Sequence, residues 1–162
     1  MSFIQTIKSY NPTFWVANFL QIIERGAWFG VFSLLGLYLV ASTDEGGLGL
    51  SHIQKGNILA NVTAIQFFLP LFFGVIADRI GYKLSLIIAF VIIGVGYYLM
   101  GTVDSYWAIY LAFLFAAMGG SFFKPVASGI IARTTDEKTS TMGFGLFYLM
   151  ANIGGFFGPA FS

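Results

Sequence analysis

Two adjacent charged residues, Glu24 and Arg25, stand in the middle of an apolar run from Phe14 to Ala41. A membrane-spanning helix needs about 20 residues at roughly 1.5 Å rise each, so this run is long enough to cross a bilayer. A charge at that depth costs at least about 2.5 kcal/mol, and it usually faces a water-filled cavity or an opposite charge. A buried carboxylate can take up a proton, and protonation of Glu24 would free a cation to hold an anionic group.

Two further polar residues are predicted at the same depth as Glu24. Glu24 and Asn152 each lie roughly 10 residues, or ~15 Å, from the inner ends of their predicted helices. Lys124 lies roughly 8 residues, or ~12 Å, from the inner end of another helix. Tyr148 precedes Asn152 by four residues and therefore shares its helix face. Three helices that bring polar groups to one level can form a solute site between them.

Each of these residues also has a purely structural interpretation. Glu24 could form an ion pair with Lys124 that joins two helices, and Lys124 could extend its ammonium to the membrane surface. Asn152 could form a hydrogen bond between helices. Adjacent helical residues diverge by about 100°, so Glu24 and Arg25 are not expected to share one narrow face. Together with Gln21 they form one broad polar sector.

The composition places the chain in a lipid bilayer. Of its 162 residues, 57% are hydrophobic and 9% are charged, whereas about 25% are charged in soluble domains. The net charge of +1 offers no basic surface for nucleic acid. The sequence contains no cysteine and no pairing of a nucleophile with a base, so neither an enzyme, nor a bound metal, nor a cofactor other than coupling protons is predicted.

The predicted fold is all-α, a polytopic membrane protein with five transmembrane helices. Residues 1–12 form a lead-in, and the five helices cover about 13–41, 51–77, 84–103, 106–132 and 142–162. A break is predicted in the fourth near Gly119-Gly120 and Lys124-Pro125. Most basic loop residues fall on one side, which places the N-terminus in the cytoplasm. Because the chain is still apolar at Phe161, we expect it to be the N-terminal part of a longer protein whose C-terminal bundle is absent.

A charged segment joins the second and third predicted helices. Asp78 to Lys83 is predicted to be a tight cytoplasmic loop, in which Gly81 suits a turn with positive φ. Gly74, one turn earlier, permits close packing. Asp78, Arg79 and Lys83 can cap and cross-link helix ends, which suggests a conformational latch. Two Gly-x-x-x-Gly pairs, at Gly26 and at Gly154, permit close helix contact.

These segments resemble known signatures. The pattern Gly74-x-x-x-Asp78-Arg79-x-Gly81-x-Lys83 is similar to the cytoplasmic loop motif of the major facilitator superfamily. Glu24-Arg25 with Gly30 resembles the Glu-x-x-Glu-Arg-Phe-x-x-Tyr-Gly motif of proton-dependent oligopeptide transporters. Phe123-Lys124-Pro125 and Phe147-Tyr148-x-x-x-Asn152-x-Gly154 look like further signatures of that family. The resemblance covers the whole chain and would correspond to about the first five of twelve or more helices.

The resemblance implies a proton-coupled symporter of two six-helix bundles that works by alternating access. It implies that Glu24 takes part in proton coupling and that Arg25 and Lys124 hold a substrate carboxylate, with Asn152 as a peptide contact. The remaining candidate substrate contacts lie on the same two helices as Glu24 and Asn152; they are Gln21, Trp28, Phe29 and Tyr148. The latch residues, Gly74, Asp78, Arg79, Gly81 and Lys83, would govern the inside gate.

The chain departs from the peptide-transporter motif at several positions. Gln21 replaces the first glutamate and cannot titrate, and Gly26 replaces the phenylalanine. The aromatic pair Trp28-Phe29 lacks a phenol hydroxyl, and Phe32 stands where peptide carriers commonly have a second arginine. A peptide site would therefore lose hydrogen bonds and a charge, and proton coupling would rest on Glu24.

The predicted function is proton-coupled transport of a small anionic or zwitterionic solute, with di- or tripeptides as the first expectation. The expected partners are this solute, the lipid bilayer and the missing C-terminal half, and the expected location is the bacterial inner membrane. One alternative is a carrier of another small anion, such as nitrate or an organic anion. An alternative of another class is a non-transporting sensor or membrane assembly subunit, in which the buried charges only join helices.

Overall fold

A computed structural model of the chain describes residues 3–161, with the backbone alone for Phe3. Its six α-helices are α1 (Phe3–Ser9), α2 (Pro12–Tyr38), α3 (His52–Ile80), α4 (Tyr82–Met100), α5 (Tyr106–Thr134) and α6 (Ser140–Phe157). Two short 3₁₀ helices cover Thr43–Glu45 and Gly158–Phe161. No β-strand occurs among the described residues, so the prediction of an all-α fold is confirmed.

Each predicted span corresponds to one of the helices α2 to α6, with end points that differ by a few residues. The lead-in was predicted without a helix, but Phe3–Ser9 forms α1. Four segments of the described chain are long and apolar enough to cross a membrane: His52–Ile80, Tyr82–Met100, Tyr106–Thr134 and Ser140–Phe161. With 27 residues α2 has the required length, but it carries Glu24 and Arg25 and is not among these four.

The chain divides into two compact units. The first comprises residues up to Val31 and those from Ala127 onward, and the second comprises Phe32–Val126. Both α2 and α5 contribute a segment to each unit. The first unit therefore contains Glu24, Arg25 and α6, whereas the second contains α3, α4 and Lys124.

In the first unit, α2 begins beside the loop that joins α5 to α6. The Tyr10 hydroxyl donates a 2.8 Å hydrogen bond to the Thr139 carbonyl, and the Tyr10 ring stacks on Phe14 with centroids 4.0 Å apart. The Asp136 carboxylate accepts from the Thr139 hydroxyl, the Thr139 amide and the Lys138 amide. The hydrogen bond from the Thr139 hydroxyl has the largest effect on Asp136 and, with the two amide bonds, lowers the pKa of that carboxyl. Burial raises the pKa of Tyr10.

In the second unit, α5 is one continuous helix, so the predicted break near Gly119-Gly120 and Lys124-Pro125 is wrong. A Cβ on Gly119 would lie 2.8 Å from the Ala89 carbonyl oxygen of α4, and one on Gly96 would lie 2.6 Å from Ala116. These glycines therefore let two backbones approach rather than ending a helix. Pro125 removes one backbone hydrogen bond, which membrane helices tolerate where neighbouring groups compensate.

The connection between α3 and α4 is shorter than predicted. Residues 78–83 were expected to form a loop, but α3 continues to Ile80, α4 begins at Tyr82, and Gly81 alone joins them. Gly81 has φ +87° and ψ 149°, which confirms the prediction of a positive φ there. Its amide donates to the Ala77 carbonyl, and its carbonyl accepts from the hydroxyl of buried Ser85. One residue thus ends one helix and starts the next.

Replacing Gly81 by alanine should destabilise this joint. The space around Gly81 is open, so the whole effect comes from backbone strain, which costs about 1–3 kcal/mol in this region of φ and ψ. Gly94 is the matched control, because it lies inside α4 with equally open surroundings and no positive φ. We expect Gly81→Ala to lower the thermal unfolding temperature of the detergent-solubilised protein and Gly94→Ala to leave it unchanged or raise it. Equal effects of the two variants would contradict the strain argument.

Candidate functional site

A buried stripe runs along one face of α2. Apart from the adjacent pair Ala17 and Asn18, its members follow one another at intervals of three or four residues. All are less than one-tenth exposed: Phe14, Ala17, Asn18, Gln21, Glu24 and Trp28. The intervals match the helical repeat, so these side chains lie on one face. Glu24 is 3% exposed. The carboxylate therefore belongs to the buried face of α2 rather than to its outer face, where Phe19 and Ile23 are exposed.

The Glu24 carboxylate is bound at both oxygens by its neighbour Arg25. Arg25 Nε donates to Glu24 Oε2 and Arg25 Nη2 donates to Glu24 Oε1, each at 2.5 Å. The side chains are 2% and 12% exposed for Glu24 and Arg25 respectively. The pairing does not require the two residues to share one narrow face, because Glu24 is buried and Arg25 only partly buried. The arginine side chain is long and flexible enough to fold back, and its planar fork matches both carboxylate oxygens.

This pairing has a direct chemical consequence. While Glu24 is ionised, two guanidinium donors of Arg25 are engaged by the carboxylate and the pair carries no net charge. Removing either partner would leave a buried charge uncompensated, which is costly in a low-dielectric setting. Protonation of Glu24 would weaken both bonds and leave Arg25 as a partly buried cation that can bind an anion.

The other candidates on α2 differ in their surroundings. Gln21 is 7% exposed, and its Oε1 atom has no hydrogen-bond partner. Trp28 is 7% exposed and continues the buried stripe, whereas Phe29 is 41% exposed and places its ring against Gly155 of α6. The structure therefore groups Gln21 and Trp28 with Glu24 and separates Phe29 from them.

Glycines bring α6 close to α2 beside the ion pair. A Cβ on Gly154 would collide with the Ile22 carbonyl oxygen and lie 3.1 Å from Arg25 Cβ, and one on Gly158 would collide with the Gly26 carbonyl oxygen. The close contact predicted for these glycines is confirmed. Because Gly154 abuts Ile22 and Arg25, the α6 backbone is part of the immediate surroundings of the Arg25 side chain.

The two candidates on α6 lie on a different face from its glycine contact. Tyr148 is 64% exposed, and Asn152, four residues later, is also exposed. The buried residues of α6 are Gly143, Phe147 and Gly154. The prediction that Tyr148 and Asn152 share a face agrees with their spacing in α6. Their role as substrate contacts stays a prediction.

Lys124 lies on the α5 segment that belongs to the second unit. It is partly buried, and its ammonium lies 5.4 Å from the centroid of the Phe67 ring of α3, a cation–π geometry. Phe32, in the same unit, has its ring centroid 6.4 Å from that of Phe113. An aromatic ring therefore lies beside Lys124 and another beside Phe32.

Two buried side-chain amides, of Asn18 and Gln66, were not predicted from the sequence. Asn18 is 2% exposed, and its Nδ2 donates a 2.9 Å hydrogen bond to the Phe14 carbonyl, while its Oδ1 has no partner. The spacing of three residues from Asn18 to Gln21 and from Gln21 to Glu24 could have revealed it. Gln66 of α3 is 4% exposed, and its backbone carbonyl accepts a 3.1 Å hydrogen bond from the Ser121 hydroxyl of α5, which joins these two helices.

The residues of the predicted latch occupy the α3–α4 connection. Asp78, Arg79 and Lys83 are exposed, and the Tyr82 hydroxyl donates a 3.1 Å hydrogen bond to Asp78 Oδ1. A Cβ on Gly74 would lie 3.6 Å from Pro125 Cβ, an ordinary contact, so glycine is not required there for packing. The gating role of these residues stays a prediction.

Comparison with known proteins agrees with this architecture. Residues 15–162 match the Major Facilitator Superfamily. The chain belongs to that superfamily. Together with the family, the apolar helices α3 to α6 indicate a multi-pass membrane protein. No solved structure is significantly similar to the chain.

Several curated proteins are similar to the chain. The "Na(+), Li(+), K(+)/H(+) antiporter" of Planococcus maritimus is 30% identical over 96% of this chain and 36% of its own length. "Dipeptide and tripeptide permease B" of Xenorhabdus bovienii is 26% identical over 89% of this chain and 29% of its own length. "Multidrug resistance protein MdtH" of Sodalis glossinidius is 27% identical over 83% of this chain and 32% of its own length. The chain thus spans about a third of the length of these relatives.

Proposed function

We propose that the whole protein is a proton-coupled secondary transporter of small solutes, with di- or tripeptides as its substrate class. The observation that carries the proposal is the buried Glu24–Arg25 ion pair on a long helix of a Major Facilitator Superfamily chain. Charged groups within membrane segments are rare, and they mark proton relays and substrate pathways.

The proposed cycle uses the ion pair as a charge switch. A proton from the external water protonates Glu24, which gives up its two bonds to Arg25. The freed guanidinium then binds the carboxylate of an incoming solute, with Lys124 as a second cation and Asn152 as a polar contact. Loss of the proton to the cytoplasm restores the Glu24–Arg25 pair, which displaces the carboxylate and favours release. The transporter alternates between outward and inward access during this cycle.

Two features support peptides as the substrate. The chain keeps the Glu24-Arg25, Lys124 and Asn152 positions of the oligopeptide-transporter motifs. A relative with 89% of this chain in the alignment is described as a dipeptide and tripeptide permease. We further propose a bacterial inner-membrane location with the N-terminus in the cytoplasm, because the basic loop residues favour that side.

A second candidate is a carrier of another small anion, such as nitrate or an organic anion. It is favoured by Gln21, Phe29 and Phe32, which replace a glutamate, a hydroxyl-bearing ring and an arginine of the peptide-transporter pattern. The apolar neighbours of Phe32 and the exposed, hydroxyl-free ring of Phe29 offer fewer polar contacts to a peptide backbone. The same ion-pair switch would serve either solute.

Competition for uptake separates the two candidates. The full-length parent protein is reconstituted in proteoliposomes with an inward proton gradient, and uptake of a labelled dipeptide is measured. We expect gradient-driven accumulation that excess unlabelled di- and tripeptides suppress and that nitrate and simple carboxylates leave unchanged. Absence of dipeptide uptake in folded protein, with uptake of a labelled small anion, would move the assignment to the second candidate. A non-transporting sensor or assembly subunit would accumulate neither solute.

A further inference from the structure

One turn before the ion pair, the buried face of α2 holds two oxygen atoms without a hydrogen-bond partner. They are Asn18 Oδ1 and Gln21 Oε1, on side chains that are 2% and 7% exposed. Buried polar atoms in proteins nearly always have a partner, so two such atoms at successive positions of one stripe call for a donor. Both atoms are hydrogen-bond acceptors. Their missing partner must therefore be a group that carries a proton or a positive charge.

Three of the donors nearest in sequence are already engaged, and the amide nitrogen of Gln21 is a further donor on the same face. Asn18 Nδ2 donates to the Phe14 carbonyl, and Arg25 Nε and Nη2 donate to the Glu24 carboxylate. Ionised Glu24, three residues after Gln21, is itself only an acceptor. The face therefore presents three acceptor groups in a row, at Asn18, Gln21 and Glu24, and the carboxylate is the member that can become a donor by taking up a proton.

We propose that Gln21 is a positioning residue for the coupling proton. Protonated Glu24 donates its hydroxyl to Gln21 Oε1, and Gln21 Nε2 then donates to Asn18 Oδ1. With the existing bond from Asn18 Nδ2 to the Phe14 carbonyl, an unbroken chain of hydrogen bonds descends α2 from Glu24 to Phe14. Neighbouring positions three and four residues apart bring such side chains within reach. This inference rests on the proposed function, since it concerns the protonated state of the same carboxylate.

The proton balance of the step is simple. One proton comes from the aqueous side and forms an O–H bond on Glu24, while Arg25 keeps its own protons, so the pair changes from neutral to a single positive charge. When the proton leaves, the hydroxyl bond to Gln21 is lost and the two bonds between Arg25 and Glu24 form again. Gln21 takes up and releases no proton, so it can act in this step although it stands where the peptide-transporter motif has a titratable glutamate.

Few charges act directly on this step. Arg25 contacts the carboxylate, and α6, which packs against α2 at Gly154, carries no charged residue and has its one titratable residue, Tyr148, exposed. The α5 segment of the same unit carries Arg133 at its end, and α1 carries Lys8 and precedes Tyr10. Lys124 is predicted at the same membrane depth. These groups are unchanged in the variants below.

The test is the pH dependence of uptake by the full-length protein in proteoliposomes. Gln21→Leu removes the acceptor of the hydrogen bond that protonated Glu24 donates. Protonation should then need about a tenfold higher proton concentration, which shifts the midpoint of uptake by about one pH unit toward acid. Asn18→Leu should shift the midpoint in the same direction by less. Gln66→Leu is the matched control, since Gln66 is equally buried but lies on α3, and its midpoint should equal that of the wild type.

A second readout does not depend on transport. Infrared difference spectra between acid and neutral pH report the carboxyl stretch of protonated Glu24, which Glu24→Gln should remove. In Gln21→Leu this band should move to higher frequency, as for a carboxyl that donates no hydrogen bond. Gln21→Met, which keeps the side-chain length, provides the same test if the leucine variant folds poorly.

The outcomes separate the two claims. Wild-type protein without gradient-driven uptake, or without a carboxyl band that Glu24→Gln removes, would overturn the proposed function. Wild-type coupling together with an unchanged midpoint and an unchanged band in a folded Gln21 variant would overturn the role of Gln21 alone. A shift in both readouts that Gln66→Leu does not show would support it.

Discussion

Arg25→Leu is expected to destabilise the protein by about 3–5 kcal/mol, because it leaves the buried Glu24 carboxylate without its partner. Glu24 is 3% exposed, so water cannot replace the two lost hydrogen bonds. The measurement is thermal unfolding of the full-length protein in detergent at neutral pH. The loss should shrink as the pH falls, since protonation of Glu24 removes the uncompensated charge.

The double variant Glu24→Gln/Arg25→Leu provides the control. It removes both charges, so it should recover most of the stability that Arg25→Leu loses, and the two substitutions should be strongly non-additive. The same cycle tests the alternative that Lys124 is the structural partner of Glu24. In that case Arg25→Leu would cost little and Lys124→Leu would carry the large loss instead.

Gly154→Ala should separate α6 from α2 and abolish uptake. A methyl group at Gly154 would collide with the Ile22 carbonyl oxygen and press on Arg25 Cβ at 3.1 Å. Backbone atoms cannot turn aside as a side chain can, so one of the helices must shift. Overpacking of this kind costs about 1–3 kcal/mol, and the shift would also displace Arg25 from the carboxylate.

Gly145→Ala is the matched control on the same helix. A Cβ on Gly145 would meet no atom within 4 Å, so the substitution should be neutral or stabilise α6 by about 0.5–1 kcal/mol. Both variants are compared by thermal unfolding and by uptake at equal protein content in the liposomes. If Gly154→Ala behaved like Gly145→Ala, the close approach of the two backbones would be contradicted.

The sequence was sufficient to predict the features that depend on local pattern. The apolar runs predicted the helices α2 to α6, and the glycine within a charged segment predicted the positive φ of Gly81. Residue spacing also predicted that Gly26 and Gly154 allow close helix contact. These features follow from helical periodicity and from the conformational freedom of glycine, both of which can be read from a single chain.

The features that the sequence could not predict depend on tertiary contacts. Gly119 is a helix breaker by propensity, yet α5 continues through it because α4 packs there. The direct pairing of Glu24 with Arg25 depends on the folding back of a long side chain, which helical angles alone do not describe. Asn18 was overlooked because one asparagine in an apolar helix carries little information until its burial and its unpartnered oxygen are seen.

In the proposed function, the Glu24–Arg25 pair couples proton movement to solute movement. The most direct test of this coupling compares wild type with Glu24→Gln in proteoliposomes, measuring both uptake driven by an inward proton gradient and solute counterflow without a gradient. We predict that Glu24→Gln loses gradient-driven accumulation while it retains counterflow, because binding and alternating access survive the loss of the proton site. Gradient-driven accumulation at the wild-type level in folded Glu24→Gln would contradict the claim.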